Sequence, residues 1–531
     1  VTQQDRTPLT QPVVFLVILL FVAAALRTAI AFCDVRTLVT KVISDDSFYY
    51  FQLARNAAQG NGITFDGVVP ANGFHPLWLL ALIPFQLLFK SSLTAPIHAA
   101  LVFEGLLDVG AGLFIYLLVR RLTDNRGAAL LGAAIYLLNP SVIFHSVNGL
   151  ETGLNLFLFA FYFWFYLSML HDDKITTRRL ILLGFLSGLL MLARTDNTIV
   201  VAMVYLHLLF FRKAIRKPGS IAASAAAGTL LVAPWLLWNL HTFGTIAQSS
   251  GGAYSIITRG NLRASGVTQL QIFLTSLSNT IKLFVWTIPT DVFAWGGLMG
   301  IAAGLTVGLT LLDDFRAHKI WKALRLACVP LAAFVALALA HSLVRGTLKS
   351  WYFIPAATVA SLIIGILCGP YSFRTLARRG RTAVAVALLI AVIFGGYLLN
   401  GWTGWQKGMY PWQSEQALAA EWSKEHVAQT QWIGSFNSGI IGYLSERHVV
   451  NLDGLVNNSV IPYLKERRLW DYICERNISY LIDSDYSIMK DYRDFYGAGW
   501  EPREHLIRVA VIDDPAVSWA GAPVVVYRII P

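Results

Sequence analysis

Apolar runs, many of about 20 residues, recur from residue 12 to residue 400, and short basic clusters separate them. A run of that length is what an α-helix needs to cross a hydrocarbon core of about 30 Å. Within such a core each backbone N–H and C=O must be satisfied inside the segment, which leaves helices as the spanning elements for a chain of this pattern. Composition agrees, with 56% hydrophobic and 14% charged residues. These values place the chain in the polytopic membrane class. The net charge of +11 does not signal nucleic-acid binding, because the basic residues lie in the short segments between apolar runs, as the positive-inside bias requires. The four cysteines offer no disulfide framework, since Cys33, Cys328 and Cys368 fall in or beside apolar runs and leave Cys474 alone in the polar tail.

The basic clusters set the threading. They are Arg120, Arg121 and Arg126; Lys174, Arg178 and Arg179; Arg212, Lys213, Arg216 and Lys217; Arg316, Lys319, Lys322 and Arg325; and Arg374, Arg378, Arg379 and Arg381. With all five on the cytoplasmic side, the expected spans are 12–33, 95–119, 127–147, 153–170, 180–193, 197–211, 220–240, 293–312, 326–344, 351–369 and 382–400. That is about eleven transmembrane helices, with the amino terminus inside and the carboxyl terminus outside. The first run has no small-residue cleavage site before Asp34 and reads as a retained span. The stretch "PLWLLALIPFQLLF" at 76–89 is too short to cross and is expected to lie on the outer interface. The pair 180–193 and 197–211 is expected to form a hairpin with "RTD" at its outer apex, and 269–289 a second surface helix. After residue 400 the composition becomes mixed. Strand-like "QWIGSF", "RHVVNL" and "ISYLID" alternate with helix-like "SVIPYLKERRLWDYICER", which predicts a small soluble α/β domain at 401–531 on the outer face. The expected fold is therefore a polytopic α-helical membrane module, residues 1–400 with a first outer loop at 34–94, followed by that C-terminal α/β domain.

This threading gathers the notable polar residues on one side. Asp45 and Asp46 in "SDDSFYYF", Asn72 and His75 in "NGFHPLW", Asn148 and Glu151 in "NGLETG", Arg194 and Asp196 in "ARTDN", and Arg345 and Lys349 in "VRGTLKSWY", which also carries Tyr352, all fall outside. Each has a structural alternative. Asp45 can cap the amphipathic helix predicted for "SFYYFQLARNAAQG", and Glu151 suits a helix start. Arg194 and Asp196 can pair at a hairpin tip, His75 before Pro76 can be structural, and Arg345 and Lys349 can snorkel as interfacial anchors. Glu104 and Asp108, one turn apart within a span, need a partner or a cavity and are expected to brace the bundle. No HExxH or CxxC ligand set, Walker loop or dinucleotide fingerprint occurs, so no metal ligand is assigned. A divalent cation is the one cofactor that two Asp, a Glu and a His leave open.

Two adjacent carboxylates beside an aqueous surface, with cations in the same outer pocket, suit transfer of a group from an anionic lipid carrier to a hydroxyl: an Asp takes the acceptor proton, while Arg and Lys hold the departing phosphate. In "DDSFYY", "NGFHPLW", "GLET" and "LART", and in the tail stretches "FNSGIIGYLSER" and "NLDGLVN", the chain resembles the GT-C superfamily of polyprenyl-phosphate-dependent glycosyltransferases, with its arabinofuranosyl, aminoarabinose and protein mannosyl transferases. The resemblance implies an inverting transfer with Asp46 or Asp45 as general base. It implies a polyprenyl-phosphate sugar donor met by Arg194, Arg345 and Lys349, and a pocket including His75, Asn72, Glu151, Asp196 and Tyr352. It further implies a glycan, lipid or protein acceptor and a bacterial plasma membrane with the site facing the periplasm or exterior. This sequence carries "RTDN" where many relatives have an Arg-Pro-Glu-like element. The competing class is a secondary transporter or lipid-handling protein that uses its intramembrane acids as ion sites.

Overall fold

In the computed structural model the described residues are 11–211, 218–264, 266–268, 270–275, 277–278, 320–344, 349–369, 380–515 and 523–530. Twelve helices precede residue 265: α1 (Gln11–Ala31), α2 (Val35–Lys41), α3 (Asp45–Ala58), α4 (Pro76–Leu88), α5 (Ala95–Thr123), α6 (Arg126–Leu137), α7 (Pro140–His145), α8 (Thr152–His171), α9 (Thr177–Ala193), α10 (Asn197–Phe211), α11 (Pro218–Phe243) and α12 (Ser249–Ala264). Further long helices run over Ile320–Val344, Pro355–Leu367 and Gly380–Lys407.

By length and apolarity, five of the described helices can cross a membrane: Pro12–Ala31, Ala95–Thr123, Thr152–His171, Pro218–Phe243 and Trp321–Leu343. Among the described residues, single long helices account for five of the expected eleven spans. The clearest departure is the expected span 127–147, which is two helices. Pro140 has no N–H to continue the ladder of α6, and it forces Asn139 out of the helical region. Asn139 then caps α7, its side chain accepting from the Ser141 amide at 2.9 Å. The expected span 293–312 and most of the expected surface helix at 269–289 lie outside the described residues. The hairpin of α9 and α10 is present, turning at 194–196.

Close glycine contacts draw α9 against α11. A Cβ on Gly184 would stand 1.8 Å from the Ser224 carbonyl oxygen, and one on Gly188 would stand 3.0 Å from that of Gly228. This is the small-residue approach that lets membrane helices pack backbone to backbone. Both intramembrane carboxylates are bonded. Asp108 takes Arg27 Nη2 at 2.6 Å and Tyr136 Oη at 2.5 Å, tying α5 to α1 and α6. Glu104 accepts from the amides of Gly149 (2.9 Å) and Gly153 (3.1 Å), which fixes the turn carrying Glu151. Gly149 adopts φ +79, open to glycine at low cost.

The C-terminal domain holds a five-stranded sheet of order β2-β1-β3-β5-β4. Its strands are β1 (Trp432–Ser435), β2 (His448–Asn451), β3 (Ile478–Ser484), β4 (Leu506–Ile512) and β5 (Val524–Ile529). Strands β2, β1 and β3 are parallel, whereas β5 is antiparallel to both β3 and β4. The three strand-like stretches are β1, β2 and β3, and "SVIPYLKERRLWDYICER" contains the helices Ile461–Glu466 and Leu469–Glu475. The last long helix runs through residue 400 and stops at Gly408, whose φ of +75 provides the left-handed turn.

This domain sits on the loop at 34–94. Arg36 Nη2 donates to both carboxylate oxygens of Glu421 (2.7 and 2.8 Å), Arg476 pairs with Asp66 at 2.6 Å, and Tyr443 donates to the Leu93 carbonyl. Gly73 shows how near the two approach, since a Cβ there would lie 1.6 Å from the Leu455 carbonyl oxygen.

Candidate active site

Helix α3 begins at Asp45, with Ser44 at the N-cap and both aspartates in the first turn. Asp45 is thus not the cap residue. Its carboxylate accepts from the amides of Ile440 (2.7 Å) and Gly439 (3.2 Å) at the start of the helix Gly439–Leu444, and its own amide donates to Gln413 Oε1 at 2.7 Å. Glycine at 439 is required by this contact, because a Cβ would lie 2.1 Å from the Asp45 carbonyl oxygen. Asp46 differs. It is half-buried, and its carboxylate makes no hydrogen bond or ion pair among the described residues. Burial pushes Asp45 up to about 7, against the pull of the Ile440 amide. Burial also raises Asp46, with Lys349 opposing and Glu151 adding to the rise.

One turn along, the i+4 partners divide the same way. Tyr49 reaches the Phe436 carbonyl in the C-terminal domain, while Tyr50 donates to Glu151 Oε2 at 2.9 Å and accepts from the His75 amide at 3.0 Å. Glu151 Oε1 receives Arg194 Nη1 at 2.5 Å and lies 3.6 Å from His75 Nε2. Arg194 also grips Asp196 through Nε (3.1 Å) and Nη2 (2.6 Å), and His341 Nε2 reaches Asp196 Oδ2 at 3.0 Å. Tyr352 stacks on His341 and lies under the Arg194 guanidinium at 4.8 Å. The buried pair thus reaches from α3 and α4 across the α9–α10 turn to the helix Ile320–Val344. Among these, Asp196 is held well below the usual carboxylate range: burial alone would raise it, but Arg194 and then His341 outweigh that.

The structure brings Glu151, Arg194, Asp196, His75 and Tyr352 into one cluster, separate from the Asp45 contacts. Arg194 is paired with Glu151 and Asp196 rather than with Asp45 or Asp46, so it is not the counter-charge of the aspartate pair. Asn72 is fully buried and committed: it donates to Asn239 at 2.8 Å and accepts from the Ser249 amide (3.0 Å) and Asn458 (2.9 Å), bracing the loop rather than facing an open pocket. Lys349 is exposed, with its Nζ 5.7 Å from the Trp351 ring, and Arg345 lies outside the described residues. His145 fixes the approach of this segment, its Nε2 lying 2.7 Å from Ser350 Oγ. Among the described residues no three His, Cys, Asp or Glu converge as metal ligands, and Asp45 is already spent on two amides.

Sequence reasoning did not select Tyr50, His341, Gln413, Tyr410 or Asp453. Tyr50 carried a usable signal, since i+4 spacing places it on the Asp46 face of α3. Asp453, at the carboxyl end of β2, accepts from the Leu455 amide at 2.8 Å and is pushed well up by burial, with Asp46 and Asp45 contributing.

Residues 74–238 match the family described as dolichyl-phosphate-mannose-protein mannosyltransferase, and 407–527 match DUF8728, a domain of unknown function. ArnT from Cupriavidus metallidurans bound to undecaprenyl phosphate aligns over 96% of this chain and 97% of its own, at 11% identity and a TM-score of 0.59. The archaeal oligosaccharyltransferase AglB from Archaeoglobus fulgidus, in complex with an inhibitory peptide and a dolichol-phosphate, aligns over 96% of this chain and 74% of its own, at 14% identity and a TM-score of 0.57. Over both alignments the likeness is one of fold. No curated protein matches it. Within the chain the stretch matching the mannosyltransferase family carries His75, Glu151, Arg194 and Asp196, and the DUF8728 stretch carries the amides that hold Asp45.

Proposed function

We propose that this protein is a GT-C-type inverting glycosyltransferase that moves a sugar from a polyprenyl-phosphate donor to an acceptor hydroxyl at the outer face of the membrane. The carrying observation is the asymmetry of the aspartate pair: Asp46 offers a carboxylate with no partner among the described residues, in the electrostatic reach of Lys349. Asp46 accepts the proton of the attacking hydroxyl as its oxygen bonds to the anomeric carbon. The bond from that carbon to the phosphate oxygen breaks, and its electron pair leaves with the polyprenyl phosphate. Lys349, with Arg345 in the same segment, supplies the charge that meets the departing phosphate. Arg194 serves that site indirectly by holding Glu151 and Asp196.

The first outer loop and the 401–531 domain together form the roof of this site, and both face the periplasm or exterior of a bacterial plasma membrane. The matched ArnT and AglB structures hold undecaprenyl phosphate and a dolichol-phosphate, which supports a polyprenyl carrier here. A transport reading loses its main support, because Glu104 and Asp108 are bonded to backbone amides and to Arg27 and Tyr136. Purified protein incubated with undecaprenyl-phosphate-linked pentoses and hexoses and octyl glycosides tests the proposal. Formation of an extended octyl glycoside with release of undecaprenyl phosphate is expected. Absence of turnover with every donor and acceptor pair overturns it.

A further inference from the structure

The junction between the last long helix and the C-terminal domain is bound tightly to the residues just before the aspartate pair. Lys41 Nζ donates to the Gln406 carbonyl at 2.7 Å, and the Met409 and Tyr410 amides donate to the carbonyls of Lys41 (3.2 Å) and Thr40 (3.0 Å). A Cβ on Gly408 would lie 2.5 Å from the Thr40 carbonyl oxygen, so glycine is needed there for this approach as well as for its turn. Gln413 completes the clasp, its amide nitrogen donating to Val39 (2.6 Å) and Ile43 (2.7 Å) while its oxygen receives the Asp45 amide. Loop 39–45 and segment 406–413 are thus one unit, and the side chain carried at its centre is Tyr410.

The Tyr410 hydroxyl is buried and has no hydrogen-bond partner among the described residues. Its ring packs edge-on against Trp412 at 5.8 Å, which orients the phenol without satisfying it. Burial and then the Asp46 charge push the phenol upward, so the two groups share one electrostatic environment. The clasp ties segment 406–413 to the start of α3, so a phenol O–H and the Asp46 carboxylate, each without a partner among the described residues, lie on one unit as a complementary pair for a sugar hydroxyl, which donates one hydrogen bond and accepts others. Leaving such a phenol unbonded is costly in a resting protein, and an incoming polar ligand recovers that cost.

We propose that Tyr410, carried by the DUF8728 stretch, is an acceptor-binding residue of the transferase: its hydroxyl donates to an oxygen of the acceptor sugar and holds the attacking hydroxyl toward Asp46. This rests on the transferase reading above. The acceptor is therefore a polyhydroxylated glycan whose hydroxyl next to the attacking one accepts from Tyr410, while the proton of the attacking hydroxyl passes to Asp46 and the electron pair of the broken bond leaves with the phosphate.

The test compares wild type, Tyr410→Phe, and protein with 3,5-difluorotyrosine incorporated at position 410, each assayed with the best undecaprenyl-phosphate sugar and octyl glycoside pair. Removal of a buried hydroxyl that is costly to leave unbonded does not lower the melting temperature, and undecaprenyl phosphate binding stays unchanged. KM for the octyl glycoside rises by about three- to tenfold in Tyr410→Phe, the scale of one neutral hydrogen bond. The difluorinated phenol is a stronger donor and lowers that KM. A wild-type enzyme that turns over while Tyr410→Phe keeps its acceptor KM overturns this inference and leaves the transferase reading standing. Loss of donor binding or of thermal stability in Tyr410→Phe equally overturns it, by making the hydroxyl structural. No turnover by the wild type removes both.

Discussion

Asp45 and Asp46 are neighbours in sequence and face different partners: the first is bonded to the Gly439 and Ile440 amides of the C-terminal domain, and the second is open toward Lys349. This division accounts for two adjacent acids in so apolar a chain. Each carboxylate is relieved separately, one by backbone dipoles and one by a cation with solvent access, so their mutual repulsion is not borne by a single site.

The division predicts opposite phenotypes. Asp46→Asn removes the base and slows transfer by about 10²–10⁴-fold, the usual scale for general-base loss, with little change in melting. Asp45→Ala strands two buried amides and costs about 1–3 kcal/mol of stability. Turnover and melting curves on both variants check this. Equal losses of rate in the two, with no loss of stability in Asp45→Ala, would contradict the assignment.

Stability should also vary with pH through Asp45. In the unfolded chain this carboxyl titrates near 3.8, whereas in the folded protein it holds its proton up to about 7. The folded state therefore binds the extra proton between those values, so its contribution to stability is complete below about 3.8 and is lost as pH rises toward about 7. Asp46 and Asp483 oppose ionisation and the two amides favour it. Melting temperatures measured from pH 5 to pH 8 should fall more steeply in the wild type than in Asp45→Asn.

The proposed role of Asp46 as base assigns it the acid limb of the pH–rate profile. Transfer requires its ionised form, so the rate rises with pH through a pKa that burial holds above the usual carboxylate range. Lys349 pulls that pKa down, while Glu151 pushes it up. Lys349→Met removes the favourable cation and shifts the acid limb to higher pH, while also weakening undecaprenyl phosphate binding in a native mass spectrometry titration. An unshifted limb would separate Lys349 from the base.

Much of this site was legible because its residues stand at the ends of apolar runs. His75, Glu151, Arg194, Asp196 and Tyr352 share an outer side by threading alone, and the structure gathers them in one cluster. The Arg194–Asp196 pair at the hairpin tip was among the readings the sequence offered, but the pairing of Arg194 with Glu151 was not legible, since charge and spacing leave Arg194 equally suited to Asp46, Glu151 or a phosphate, and only packing decides. The partner of Asp45 lies 394 residues away, beyond any periodicity. The break at Asn139 and Pro140 was visible in "LLNPSV", but hydropathy summed over 127–147 outweighed it. Strands β4 and β5 have half-exposed or mixed patterns that alternate too weakly to be seen beside the parallel strands.

Arg194 separates structure from binding. With a guanidinium 4% exposed that joins Glu151 and Asp196, Arg194→Ala leaves two buried carboxylates without their cation, and breaking such a pair costs about 3–5 kcal/mol. Arg194→Lys restores charge but not the fork that meets Asp196 through two nitrogens and Glu151 through a third, so it recovers only part of the stability. Lys349→Ala is exposed, loses no buried pair and should melt like the wild type. Undecaprenyl phosphate titrations run beside melting curves distinguish the two residues. Arg194→Ala should melt early, and any loss of lipid binding should track its loss of fold, whereas Lys349→Ala should lose lipid affinity at full stability. An Arg194→Ala protein that melts normally and binds no lipid would move Arg194 from the scaffold into direct contact with the donor phosphate.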